Sequence, residues 1–266
     1  MNHRLYIGDS RDVLPQLEDE FAESISLMVT SPPYFVGRGY EDYIESWEEY
    51  WGMLFDVLTS LDPLMEPGGK VAINFADRYA NYKYLGKSCE IPYIPHYQKI
   101  MNHLEYDLWG RIVWDKTKVM IDGARHTTNS GRFKGRMRIA PNWEYIFIWR
   151  KPGPREDKKV TMTKKEWGDY VNGIWRISSV SKNATVGGTK LAIFPKEIPA
   201  RLIKMYTEEG DIVLDPFLGT GTTLEVARNL GRQGIGIDNN PDMIPEVKER
   251  MKPDLFNKDT LEVIYD

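Results

Sequence analysis

Two stretches of this 266-residue chain bring together residue types that chemistry needs at close spacing. The first is Thr30-Ser31-Pro32-Pro33-Tyr34, at the end of an apolar run. Consecutive prolines fix φ and remove two amide donors, so Pro32 and Pro33 hold the local carbonyls in a rigid, non-helical turn. Such a turn aims acceptors outward from the C-terminal edge of a sheet. A planar amino group would fit there between the Ser31 hydroxyl, the Pro32 carbonyl and the aromatic face of Tyr34. Alone, the same residues also suit a stiff strand-to-loop turn with no ligand.

The second stretch is Asp215-Pro216-Phe217-Leu218-Gly219-Thr220-Gly221-Thr222-Thr223. It follows an apolar strand, and a helix is expected to open near Thr222. The next apolar run ends in Asp238. Strand, glycine-containing turn, helix, strand and terminal acid make up half of a nucleotide-binding unit. Gly219 and Gly221 let a ligand approach the backbone closely, and Asp238 can accept both hydroxyl hydrogens of a ribose. A dinucleotide loop would present amides to a pyrophosphate. Here the Asp215 carboxylate repels phosphate and suits an ammonium group. S-adenosyl-L-methionine (SAM) carries an amine and a sulfonium but no phosphate, which favours SAM over NAD. The plainer alternative is a tight strand-to-helix turn that binds nothing. Four scattered histidines and the single Cys89 supply no metal site.

The elements that must position these residues read as an α/β alternation, with no internal repeat or low-complexity tract. Strands are predicted over 4–7, 24–30, 70–75, 110–114, 144–149, 212–215 and 234–238. A helix should start at Ser46, with Glu49 completing a capping box and Trp47, Trp51, Leu54, Leu58 and Leu61 on one face. Pro67-Gly68-Gly69 would then stop it and turn the chain into a strand. Thr163 and Glu166 form a second capping box. Ile198, Leu202, Ile203 and Tyr206 mark a third helix. Residues 152–190 read as a small insert whose Trp167, Tyr170 and Trp175 belong to a core.

Apolar residues make up 41% of the chain and charged residues 28%, as in a globular protein with a real core. No run approaches the roughly 18 apolar residues needed to span a membrane, and the N-terminus lacks a signal-peptide core. A soluble, cytoplasmic protein without membrane contact or internal disulfide is expected. The net charge of −4 hides segregation. Residues 16–66 hold twelve acids against Arg38 alone, residues 116–138 hold seven bases against Asp122, and residues 150–165 hold seven bases against two acids. Such asymmetry suits a polyanion meeting one face. The run with Arg125, Arg132, Lys134, Arg136 and Arg138 also carries Gly and Phe133, which tilts it toward nucleic acid over a merely solvated loop.

Taken together, T-S-P-P-Y and D-P-F-x-G-T-G-T-T resemble the SAM-dependent amino-methyltransferases of nucleic acid bases. The order of motifs resembles the circularly permuted, beta-class-like group in which the catalytic motif precedes the SAM motif. The resemblance runs from Gly8-Asp9-Ser10 through Asp238. It implies a Rossmann-like α/β sheet, with 1–151 as the catalytic half, 152–190 as a small target-recognition insert and 191–266 as the SAM-binding half. The strand after the SAM loop would lie beside the one ending at Thr30. By the same resemblance, Asp215, Phe217, Gly219, Thr220, Gly221 and Thr222 surround the methionine part of SAM. Asp238 is the ribose acceptor, Asp9 lies near the adenine, and Phe194-Pro195 closes the methionyl side. Two departures stand out. Lys190-Leu191-Ala192-Ile193 replaces a common His-Pro-Ala, and Phe35 stands where Asn is frequent.

The serine form of the catalytic motif resembles the cytosine-N4 enzymes; adenine-N6 enzymes more often have Asp or Asn at position 31. An exocyclic amine is a poor nucleophile because its lone pair is delocalised into the ring. Acceptors at Ser31 and Pro32 would favour a more sp³-like nitrogen, and Tyr34 would stack on the base. Catalysis then rests on positioning and fixed dipoles. Cytosine-C5 chemistry would need a cysteine nucleophile, and Cys89 sits in no such motif. A paired base must first be flipped out, and Gly37-Arg38-Gly39-Tyr40 is a candidate loop to close on it. The implied partner is DNA read at a short site, with structured RNA the alternative. Adenine-N6 transfer, a restriction endonuclease partner, a non-catalytic binding protein and a small-molecule methyltransferase are the further readings.

Overall fold

The computed structural model describes residues 1–35, 46–79, 89–116, 142–154, 159, 162–180, 185–186, 189–190, 195–253 and 259–266. Its strands are β1 (Asn2–Ile7), β2 (Ile25–Thr30), β3 (Met65–Phe75), β4 (Arg78–Tyr79), β5 (Glu90–Ile91), β6 (Asp107–Asp115), β7 (Trp143–Arg150), β8 (Ile174–Arg176), β9 (Thr185–Val186), β10 (Thr189–Lys190), β11 (Ile212–Asp215), β12 (Gln233–Asp238) and β13 (Thr260–Tyr265). Its helices are α1 (Ser10–Gln16), α2 (Glu18–Phe21), α3 (Trp47–Leu61), α4 (Ile94–His103), α5 (Lys164–Tyr170), α6 (Glu197–Tyr206), α7 (Thr222–Asn229) and α8 (Ile244–Arg250).

Nine strands form one sheet in the order β13-β1-β12-β11-β2-β3-β7-β6-β8. From β13 to β3 every pairing is parallel, and β7 then runs antiparallel to both β3 and β6. Both faces are covered by helices, so the central strands are largely apolar; all six residues of β2 are buried, Ser26 and Thr30 among them. The period-two alternation sorts side chains between the faces. On β7, Phe147 and Trp149 join Leu54 of α3 and Tyr97 of α4, whereas Ile146 and Ile148 join Leu202 of α6 and Val226 of α7.

The strand order reverses between β2 and β11. The chain leaves β2 through α3 toward β3 on one side, and leaves β11 through α7 toward β12 on the other. Ligands in open α/β sheets bind at the C-terminal ends of strands at such a point. The neighbour of β2 is therefore β11, the strand before the glycine loop; β12, which follows that loop, lies one place further out. This corrects the sequence-based arrangement. A switch point needs the two central strands to send their crossovers in opposite directions, which puts the strand feeding the loop in the middle.

Two further expectations change. Pro67-Gly68-Gly69 does not stop α3, which ends at Leu61 before a 3-10 turn over Asp62–Leu64 that contains Pro63. The triplet lies inside β3 as a bulge: the register with β2 jumps from Ile25–Met65 to Leu27–Lys70, and Gly68 has φ +76°. Trp167 is not a core residue. It is exposed and Tyr170 is half-buried, while Trp175 on β8 is fully buried. Helix α5 leads into β8, which pairs with β6 and extends the main sheet. The N-caps hold. Ser46 Oγ accepts from the Glu49 amide at 3.0 Å, and Thr163 and Glu166 form a reciprocal capping box. No helix among the described residues is long and apolar enough to cross a membrane.

Candidate active site

One cleft at the reversal point is walled by residues from both motif loops. Ser31, Pro32, Pro33 and Tyr34 line one side, and Asp215, Phe217, Gly219, Thr220 and Thr222 line the other, with Asp9 and Asp238 at its edge. Tyr34 and Phe217, distant in sequence, thus share one cavity. A direct bond joins the two loops: Thr30 Oγ1 donates to Asp215 Oδ1 at 2.6 Å.

Asp215 is 4% exposed, so its oxygens need donors. Besides Thr30, the Phe217 amide donates to Oδ1 at 3.1 Å and the Thr223 hydroxyl to Oδ2 at 2.6 Å. Burial pushes its carboxyl up to about 6 against these bonds. Asp238 ends β12 and takes the Gly219 amide at 2.7 Å and the Asn240 amide at 2.9 Å. It too is raised to about 6, chiefly by burial. Asp9 differs: it caps α1 by accepting the Arg11 amide and forks with the Arg11 guanidinium, which holds it below the usual carboxylate range. Gly219 (φ +56°) and Gly221 (φ +84°) are both left-handed, which lets the loop turn into α7 without strain.

Among the described residues the cleft wall contains three acids and no lysine, arginine or histidine. That donor set fits a cationic ligand without phosphate, as SAM is. The described wall residues that would hold such a ligand are Asp215, Phe217, Gly219, Thr220, Thr222 and Asp238, with Asp9 beside them. Gly221 forms the turn behind the wall, and Pro195 stands outside it, its carbonyl accepting the Ile198 amide at 3.0 Å. Phe194, and Arg38, Arg125, Arg132, Lys134, Arg136 and Arg138, lie outside the described residues. Half-buried Cys89 does not reach the wall.

On the acceptor side, the Tyr50 hydroxyl from α3 donates to the Pro33 carbonyl at 2.8 Å, and the Tyr93 hydroxyl donates to the Tyr34 carbonyl at 2.5 Å. Among the described residues no donor meets the Pro32 carbonyl. The turn is completed by Phe35 at φ +46°, unusual for a non-glycine residue, whose ring stacks on Tyr50 at 5.6 Å. Several participants carry no motif signature. Ser10 donates to the Pro216 carbonyl and ties α1 to the donor loop. Asn240 stands two residues past Asp238, and Tyr50 and Tyr93 could have been suspected only as buried phenols needing a partner; Thr223 stands inside the quoted glycine motif.

The sequence profile of the DNA methylase family, which covers the N6 and N4 enzymes, matches residues 25–249. The chain belongs to the DNA methylase family. It is 29% identical to the Type II methyltransferase M.MjaI of Methanocaldococcus jannaschii over 94% of this chain and 91% of that one. It is 30% identical to the Type II methyltransferase M.BglI of Bacillus subtilis over 92% and 86%. TTHA0409 of Thermus thermophilus, assigned as a DNA modification methylase and solved with SAM, superposes with a TM-score of 0.74 at 29% identity, covering 99% of this chain and 98% of that one. The cytosine-N4-specific PvuII DNA methyltransferase shares the fold, with a TM-score of 0.72 at 20% identity over 96% and 89%. This DNA methylase is thus a SAM-dependent methyltransferase of the N6/N4 type.

Proposed function

We propose that this DNA methylase transfers the SAM methyl group to the exocyclic N4 amine of cytosine in DNA, at a short site, as a member of the permuted class. The observation that carries the reading is the pair of acceptors on the cleft wall, Ser31 Oγ and the Pro32 carbonyl, facing an acid-lined donor loop across the Thr30–Asp215 bond. When bound, SAM supplies an activated methyl on a sulfonium. The chain's own work is placement. Asp238 takes the ribose hydroxyls, and Asp215 braces the loop and takes the ammonium of the methionyl end, with Asp9 by the adenine and Phe194-Pro195 beside the methionyl side. Ser31 and Pro32 draw the amine hydrogens away from the ring plane, which localises the nitrogen lone pair toward the methyl, and Tyr34 supports the base. Positioning of this kind contributes about 7–11 kcal/mol to suitably oriented reactions without a strong base.

Serine rather than Asp or Asn at position 31 supports cytosine over adenine, and membership of the DNA methylase family supports DNA over structured RNA. The Type II relatives make a restriction endonuclease the partner to seek. Arg38, Arg125, Arg132, Lys134, Arg136 and Arg138 are assigned to the DNA backbone. Incubation with labelled SAM and unmethylated DNA or ribosomal RNA, followed by digestion to nucleosides and mass identification, tests the reading. N4-methylcytosine from DNA is expected, and N6-methyladenine or an RNA product overturns it.

A further inference from the structure

A buried acid on β7 belongs to no motif, yet reaches the catalytic loop. Glu144 is 6% exposed and sits opposite Trp114 of β6. Its two oxygens have separate duties: Oε1 pairs with the Lys116 ammonium, and Oε2 lies 3.1 Å from the Tyr34 hydroxyl. Tyr34 in turn lies 3.0 Å from Ser31 Oγ. A carboxylate this deep is retained only where its partners are good.

The direction of these bonds follows from counting hydrogens. A phenol has one hydrogen to give, and Glu144 Oε2 can only accept it. Asn74 Oδ1, 3.2 Å from the phenol, is also an acceptor there, because Asn74 Nδ2 is committed to the Tyr145 carbonyl at 3.0 Å. Of these neighbours, only Ser31 can donate. The phenol hydrogen therefore points to Glu144, the charged acceptor outweighing the neutral one by about twofold in bond strength. The Ser31 hydrogen then points to the phenol oxygen, leaving the Ser31 lone pairs for the cleft.

We infer that Glu144 is a positioning residue which, through Tyr34, holds Ser31 as a hydrogen-bond acceptor for the substrate amine. The inference rests on the amine-binding reading of the Ser31–Tyr34 loop. Hydrogen bonds in a chain polarise one another, so the negative charge of Glu144 also strengthens Ser31 as an acceptor. No proton has to move along the chain for this role.

Glu144→Gln removes the charge at nearly constant shape. In single-turnover methylation of unmethylated genomic DNA with tritiated SAM, its rate should fall at least about tenfold. Its SAM affinity by calorimetry and its KM for DNA should stay within about twofold of wild type. Glu144→Asp, which keeps the charge, should recover part of the rate. The deciding measurement is a double-mutant cycle. In a Tyr34→Phe background, Glu144→Gln should cost nothing further, because the intermediary is gone. Losses that multiply, or a loss confined to SAM affinity or KM, would show that Glu144 only ties β6 to β7 and would overturn the inference. The cycle is read on whichever exocyclic amine the wild type methylates. An adenine product would sink the cytosine reading while the cycle still decides this one.

Discussion

Burial raises two of the three acids on the cleft wall, while an arginine partner lowers the third. Asp215 and Asp238 are raised from 3.8 to about 6, because desolvation outweighs the hydroxyl and amide bonds they accept. An acid raised on folding stabilises the folded state fully below its unfolded value, and that contribution is lost as pH rises through about 6. Ligand binding runs the other way, since ribose hydroxyls and an ammonium prefer the ionised form. SAM affinity should therefore weaken as pH falls below about 6. Asp238→Asn should flatten that dependence and weaken binding about tenfold or more at pH 8, as expected for loss of charge-assisted bonds. Calorimetric titration across the range checks both; an unchanged pH profile would remove Asp238 from the binding site.

At the scale of elements, the donor loop depends on two left-handed glycines whose surroundings differ. A Cβ on Gly221 would meet Val247 of α8 at 3.1 Å, whereas one on Gly219 would meet nothing within 4 Å. Both substitutions carry a left-handed strain of about 1–2 kcal/mol for an L-residue. Gly221→Ala should therefore lose the more stability in urea denaturation, because α8 must also shift. Gly219→Ala, whose methyl projects beside a cleft-lining position, should lose the more SAM affinity. The reverse ranking would mean that α8 does not brace the loop. The loop carrying Ser31 is braced differently, by hydroxyls from Tyr50 on α3 and Tyr93 just before α4, so an aromatic cluster behind the sheet edge takes the Pro33 and Tyr34 carbonyls.

For the whole molecule, the segment after β7 is fastened to the sheet. Trp175 is fully buried, donates to the Tyr170 carbonyl at 3.0 Å, and lies under the Arg201 guanidinium of α6 at 5.0 Å. Trp175→Ala should lower stability by about 3–5 kcal/mol, as for other buried large-to-small changes, within one cooperative transition. Two separate transitions would instead mark an independent recognition unit. Charge acts at the same scale. The described flanks of the basic run meet at the catalytic edge, where the Lys116 amide donates to the Asn142 carbonyl at 3.2 Å. Neutralising Arg132, Lys134, Arg136 and Arg138 together should weaken DNA binding and reduce its log–log salt slope by up to about four, near one per phosphate contact. An unaltered slope would assign these residues to a bystander surface.

Local chemistry made much of this protein legible from its sequence. Asp215, Gly219, Gly221 and Asp238 announce the loop proposed to hold the donor because a strand end, a left-handed turn and a terminal acid are each set by neighbours a few residues away. Ser31 and the two prolines do the same for the loop proposed to hold the amine, and β2 and β11 show as largely apolar runs because both their faces are covered. What tertiary structure decided are the relations between distant residues, which no local pattern encodes. That β11 rather than β12 lies beside β2 depends on the direction of two crossovers. That Thr30 reaches Asp215, that Tyr50 and Tyr93 take two carbonyls and spare the third, and that Glu144 meets Tyr34 depend on four strands converging at one edge. A lone glutamate in an apolar strand shows only that a partner must exist; three-dimensional packing supplies which one.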